Sequence, residues 1–567
     1  MKRLLILLLI AALSAGVGWA AYQAANPETP LARYVPAGPL LYLEAKDFRL
    51  LLSDWNSSPE KSAWVESSNY EVFSRSRLLL RLKAAGDQFA AAAGLPADMN
   101  FLSQVAGTSS ALALYDIGKL EFLYITRLPQ AKALETTLWR TRSNFQPRSA
   151  GGVTFFLRSD PESQKQVCFA VAGDYLLLAT REDLMAGALE LIAGSKDRTI
   201  EAEPWYSESV AAREAAGDLR MLLNLDKIVP SSYFRTYWVH DNIAEMKQYS
   251  AAISDLFRSR QQYREERVLL ARSAPAAPSP AALQAVADLV RLIPENAAIY
   301  ESKASPSSAT CFELLETKLL APHPGRRQPS SETAPQVQLT SGETGSSADL
   351  ETRIDQAPSE HMDSRQNRSA LEELLGNSQI LASLEVQSTE RDRAGVFVRI
   401  HTAIVLMAAA EWDESKVRVA VSDFLAQNLT AGGLGLNWRP RSGYQELDGL
   451  WPLTVAVHGN YLLMADEPGL LESMLRSFSR SGEARPASFI AAFNHGQERD
   501  NFARFSAVVD RNEPSPGNPA AREREPQFFS ENLGSLSHAL ARISSEKMVV
   551  RFDGSKKLET VTYQWTD

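Results

Sequence analysis

Two serines stand three residues ahead of a lysine, in Ser58-x-x-Lys61 and Ser544-x-x-Lys547, a spacing that imitates a hydroxyl nucleophile and its amine base. Neither pair is followed by the further motifs that such hydrolases use, and GxSxG is absent. The seven histidines form no HExxH and no pair on one element, so each reads as a scattered surface or core side chain. Cys168 and Cys311 are far apart, with no CxxC and no histidine cluster, which sets aside the common zinc spacings. One disulfide and two buried thiols both remain open for them, since Cys168 lies in the apolar run Val167 to Val171. The glycine-rich Ala431-Gly432-Gly433-Leu434-Gly435 has no strand before it and no phosphate-facing helix after it, and reads as a turn. No catalytic residue, metal ligand or cofactor is expected.

Two sets of residues could bind rather than react. Arg148 and Arg441 recur in Asn144-Phe145-Gln146-Pro147-Arg148-Ser149 and Asn437-Trp438-Arg439-Pro440-Arg441-Ser442, and two guanidinium groups could meet an anion. The plainer reading, a turn set by proline with serine bonded to local backbone, is favoured. The second set is Tyr233, Tyr237 and Trp238. They are core if buried; if exposed, they suit contact with a partner protein or the membrane interface.

The elements that must position these residues come from a duplication. Val35-Pro36-Ala37-Gly38-Pro39-Leu40-Leu41-Tyr42 is answered by Ile293-Pro294-Glu295-Asn296-Ala297-Ala298-Ile299-Tyr300. The arginine motif is a second match, and Gly173-Asp174-Tyr175-Leu176-Leu177 against Gly459-Asn460-Tyr461-Leu462-Leu463 is a third. A fourth pairs Arg220 to Pro230 with Arg504 to Pro514. His458 stands where the first copy has Ala172, so a role shared by the halves does not need it. Four matches in one order imply two related halves. After the fourth match the first half carries the aromatic run Ser231 to His240, where the second has Ser515-Pro516-Gly517-Asn518-Pro519 and charge.

Within each half the glycine match predicts a hairpin, Val167 to Ala172 and Tyr175 to Thr180 in the first, with a helix following over Asp183 to Ile192 and over Gly469 to Phe478. Strands are predicted at Ser110 to Tyr115, Leu120 to Thr126, Val396 to Thr402 and Leu558 to Trp565. Helices are predicted at Gln130 to Thr141 and Lys416 to Gln427. The class is α+β, with two tandem related domains, mainly antiparallel sheets and flanking helices after an N-terminal apolar helix. The first domain is expected over 30–270, a Pro/Ala linker over 271–285, and the second domain over 286–567. A disordered insert falls at about 321–368, where composition is dense in Pro, Ser, Thr, Gln and charge.

Lys2 and Arg3 precede an uncharged run from Leu4 to Ala25, the order of an export signal. Cleavage after Ala20 and retention as a single span both fit about twenty residues; Trp19 and Tyr22, placed for an outer interface, favour the anchor. The whole chain has 45% hydrophobic and 22% charged residues, as globular proteins do. A net charge of -9, from 59 basic and 68 acidic residues, supplies no basic stripe for nucleic acid.

The leader, the Val35 to Tyr42 opening and the Gly173 to Leu177 hairpin together resemble a family of bacterial exported proteins grouped as a domain of unknown function. That resemblance implies structure and export but assigns no activity and no site residues. The expectation is an exported envelope protein that binds or scaffolds, anchored in the inner membrane facing the periplasm or released there if the leader is cleaved. Its partner is an envelope protein or the membrane interface, and any small-molecule ligand is open. An exported hydrolase and a chaperone-like assembly factor are the rival expectations.

Overall fold

The computed structural model describes residues 29–565 except for scattered positions between 59 and 99 and for 161–164, 214, 232–244, 260, 275–276, 321–369, 392–397, 430–435, 449–452, 480–484, 497 and 499–542. The leader and the expected disordered insert lie outside the described residues. Among those described, no helix is long and apolar enough to cross a membrane. The chain mixes helix and strand around antiparallel sheet with flanking helices, the class its patterning predicts. It forms two compact units, one of Met1–Ala277 with Asn494–Asp567 and one of Pro278–Phe493.

The first unit contains β1 (Leu41–Ala45), β2 (Ser110–Asp116), β3 (Glu121–Arg127), β4 (Gln146–Ala150), β5 (Val153–Ser159), β6 (Gln166–Ala172), β7 (Tyr175–Ala179), β8 (Leu219–Asn224), β9 (Tyr249–Arg258) and β10 (Gln262–Ala271). All pair antiparallel, in the order β4-β5-β6-β7-β3-β2-β1-β8-β9-β10. The apolar run of β6 and β7 has a physical cause, for these strands are covered on both faces. One face gives Cys168, Ala170 and Leu177 to the main core beneath a helix, Glu182–Ile192, which contributes Leu184, Met185, Ala188 and Leu189. The other gives Val167, Phe169, Leu176 and Leu178 to a second cluster, where Phe169 stacks on Phe156 at 5.2 Å. The turn between them needs a positive φ, and Gly173 supplies it at +58°.

The helices of this unit are α1 (Phe48–Ser57), α2 (Asn100–Val105), α3 (Gln130–Glu135), α4 (Thr137–Arg140), α5 (Glu182–Ile192), α6 (Pro204–Ala211) and α7 (Leu225–Ile228). The single helix predicted over Gln130 to Thr141 is broken. Thr136 is extended, with φ -62° and ψ 149°, because its hydroxyl accepts from the Trp139 amide and so caps α4 as a new start.

The second unit contains α8 (Pro280–Val290), β11 (Ile299–Ala304), α9 (Ser308–Leu315), α10 (Ala370–Asn377), β12 (Ile380–Arg391), β13 (Val398–Ala408), α11 (Glu414–Leu429), β14 (Asn437–Arg441), β15 (Tyr444–Asp448), β16 (Leu453–His458), β17 (Tyr461–Ala465), α12 (Pro468–Ser477) and β18 (Phe489–Phe493). Its strands run β14-β15-β16-β17-β13-β12-β11-β18. This is the order of the first unit from β4 to β8, place for place. Gly459, also at φ +58°, makes the turn that Gly173 makes. The linker expected over 271–285 is shorter, since Ser279 caps α8 through the Ala282 amide and the helix begins at Pro280.

The chain then returns to the first unit. The hairpin of β19 (Ile543–Asp553) and β20 (Lys556–Trp565) joins its sheet through β20, which pairs with β10 from Gln262↔Gln564 to Leu270↔Lys556. The compact second unit thus ends at Phe493, whereas the second half read from the sequence runs to 567.

Candidate functional site

The two arginines singled out in the sequence belong to different units. Arg148 lies on β4 and Arg441 on β14, and each strand pairs on one side, with β5 and β15. The turn reading is therefore corrected: Pro147 and Pro440 sit inside edge strands, where the missing N–H breaks no ladder. Arg148 lies 3.5 Å from the Glu182 carboxylate and Arg441 2.6 Å from that of Glu446. Tyr233, Tyr237 and Trp238 lie outside the described residues, as does the glycine-rich 431–435.

Neither serine–lysine pair is a nucleophile with its base. Ser58 Oγ donates to the Trp55 carbonyl and accepts from the Lys61 amide, while Lys61 Nζ donates to Asn56 at 2.6 Å. Ser544 Oγ donates to the Gln564 carbonyl, and Lys547 is exposed three positions further along β19. His458 is exposed and packs on Phe478 at 4.6 Å. Cys168 and Cys311 are free and buried in the cores of different units, and burial pushes both thiols up to about 12, away from thiolate chemistry. Among the described residues no group of side chains could hold a metal.

Two constellations do form, both in the first unit. The register aligns Glu44, Arg220, Asp255 and Glu266 in one row across β1, β8, β9 and β10, on the face that carries the core. Asp255 is fully buried, and four donors saturate it: Arg220 through Nε at 2.7 Å and Nη2 at 3.0 Å, Arg213 Nε at 3.1 Å and the Gly217 amide at 2.9 Å. Arg213 also pairs with Glu266. Burial pushes the Asp255 carboxyl up, but the Arg220 and Gly217 hydrogen bonds outweigh it and hold the group below its ordinary value. Glu44 has no such saturation, and burial holds its carboxyl above the ordinary range. The nearby Tyr42 hydroxyl is buried without a hydrogen-bond partner among the described residues. This row is buried and saturated at its centre, Arg220 and Asp255, which is the chemistry of a structural clasp.

The second constellation is open. Where β3 ends at Arg127 the chain turns through Pro129 into α3 and α4, facing α1 and α2 across a cleft of about 590 Å3. Its described walls carry Arg49, Arg127, Lys132 and Arg140 against one acid, Glu135. Gln104 of α2 accepts from both the amide and hydroxyl of Thr137 at 2.8 Å, which fixes the helices across the cleft. The floor needs a glycine: a Cβ on Gly107 would lie 2.1 Å from the Arg127 carbonyl oxygen. That close approach lets the Gly107 carbonyl take the Arg49 amide at 3.2 Å. Arg127 Nη2 donates to the Thr29 carbonyl at 2.8 Å, and its guanidinium stands over the Tyr175 ring. The charged heads of Arg49, Lys132 and Arg140 meet no acid or hydrogen-bond acceptor among the described residues. A recess of about 390 Å3 between α1 and α2 continues the cleft through Arg49, Ser103 and Ala106. Sequence reasoning missed this site, because nothing in the spacing of residues 49, 127, 132 and 140 brings them together.

No protein-family model matches the chain, and no curated protein sequence is similar to it. Among solved structures it is similar to TP0453 in crystal form IV, at 11% identity and a TM-score of 0.24, over 43% of this chain and 80% of that one. Crystal form I of TP0453 gives 14% identity and a TM-score of 0.24, over 44% of this chain and 81% of that one.

Proposed function

We propose that the chain is an exported, non-catalytic binding protein of a bacterial cell envelope, held by its leader, with an anion-binding cleft in its first unit. One observation carries this reading: three cations that meet no acid or acceptor among the described residues converge on an open cleft in a chain whose net charge is -9. Uncompensated charges of one sign at a concave surface attract the opposite sign and orient it. The four sequence matches and the shared strand order support two modules of common origin. Export is supported by the basic and apolar order of residues 2–25. A hydrolase has no such support, since Ser58, Lys61 and Ser544 are each hydrogen-bonded to groups other than a serine–lysine partner. Isothermal titration of the full chain with pyrophosphate tests the reading. Saturable binding is expected, weakened at least tenfold when Arg49, Lys132 and Arg140 are changed together to Ala, since a hydrogen bond to a charged group contributes ~1.5–3 kcal/mol. Binding that ignores the triple change defeats it.

A further inference from the structure

The cleft's place in the chain says more about its ligand. Thr29, whose carbonyl is held by Arg127 of the cleft wall, is four residues beyond Ala25, where the uncharged leader run ends. The next residues are locked, for Leu31 and Ala32 are fully buried in the main core. Four residues of chain reach about 14 Å at most, whatever their conformation. A leader that stays in the bilayer therefore holds this cleft at the headgroup layer.

The surface around the cleft has the composition of such a place. Helix α1 carries Phe48, Leu51, Leu52 and Trp55 at the i, i+3, i+4, i+7 spacing of an apolar stripe, yet none of its residues is buried. Trp55 is 49% exposed, and Leu134 on α3, between Lys132 and Glu135, is also exposed. A helix with an aromatic-bearing apolar stripe beside unpaired arginine and lysine is suited to lie in an interface.

We infer that the α1–α3 face of the first unit docks on the anionic phospholipids of the bilayer that holds the leader, with phosphate groups in the Arg49, Lys132 and Arg140 cleft and Trp55 at the acyl boundary. This rests on the cleft being an anion site. The tether supplies a high local concentration of headgroups, so modest intrinsic affinity suffices.

The test uses the full chain in nanodiscs of phosphatidylcholine, with and without phosphatidylglycerol. A fluorophore is attached at Ala131 of α3, exposed and outside the cleft lining, through Ala131→Cys, the native cysteines being buried. The readout is quenching by a lipid-borne nitroxide. Quenching is expected to rise with phosphatidylglycerol, to fall in high salt, and to be lost in the Arg49→Glu, Lys132→Glu, Arg140→Glu chain. Single neutral changes such as Lys132→Gln should weaken docking about fivefold each, and they keep the test valid if the triple change unfolds the unit. Equal quenching in both lipids, or failure of the chain to remain with the nanodisc, overturns the inference. Pyrophosphate titration of the same samples separates the outcomes: binding without lipid docking leaves the anion cleft standing alone, and the absence of both removes the two together.

Discussion

Asp255 and Glu44 sit two strands apart in the same row and answer to pH with opposite signs. The folded carboxyl of Asp255 lies below its ordinary value, so its contribution is complete above the ordinary carboxylate range and is lost as pH falls through the folded value. Glu44 lies above its ordinary value, so its contribution is complete below that value and is lost as pH rises through the folded one. Glu44→Gln should raise the melting temperature at neutral pH, and the gain should vanish below the ordinary glutamate range; a gain that persists in acid would place the cause elsewhere. Asp255→Ala should cost about 3–5 kcal/mol, because it strands the buried Arg220 guanidinium, and urea unfolding would show this. The row was not read from the sequence, although one of its members had left a trace there. The alternation of Tyr249, Ala251 and Ile253 points Asp255 inward at a place that should be apolar. Its partner Arg220 was seen only as a repeated motif residue, because pairing across strands leaves no mark in local spacing.

At the scale of elements, hairpins were the most legible feature. Two glycines at φ +58° follow apolar runs in both units, and the helices after them begin within a residue of the predicted start. The edge strands were not legible, because a proline among polar residues resembles a turn until pairing with β5 or β15 is known. All five residues of β4 are exposed or half-buried, and Pro147 denies an incoming strand one of the donors it would need. Pro147→Val should leave the melting temperature within a few degrees and promote self-association, visible by light scattering at rising concentration. A monomer at every concentration would show that the proline is not what guards the edge. The break at Thr136 was likewise hidden, since the residues on both sides of it favour helix.

For the whole molecule, two halves could be read from the sequence, but the return of the last hairpin to the first unit could not. That return depends on β10 presenting a bare edge that only long-range pairing can fill. The β20 strand brings Leu558 against the main core and Lys557 between Glu245 and Glu559, each at 2.9 Å. A chain ending at Phe493 should therefore lose hydrogen-exchange protection at Val268, Leu269 and Leu270, and retained protection would mean that β10 needs no cover.

The interrupted first unit also orders events in time. At about 5–20 residues per second, the stretch from Ala271 to Lys556 takes roughly fifteen seconds to a minute to synthesise. Until it is made, the N-terminal unit waits with an unfilled sheet. Completion of the first unit thus reports that synthesis has passed β20, and a product cut short before Lys556 is left with an open β10 edge that another strand can pair with.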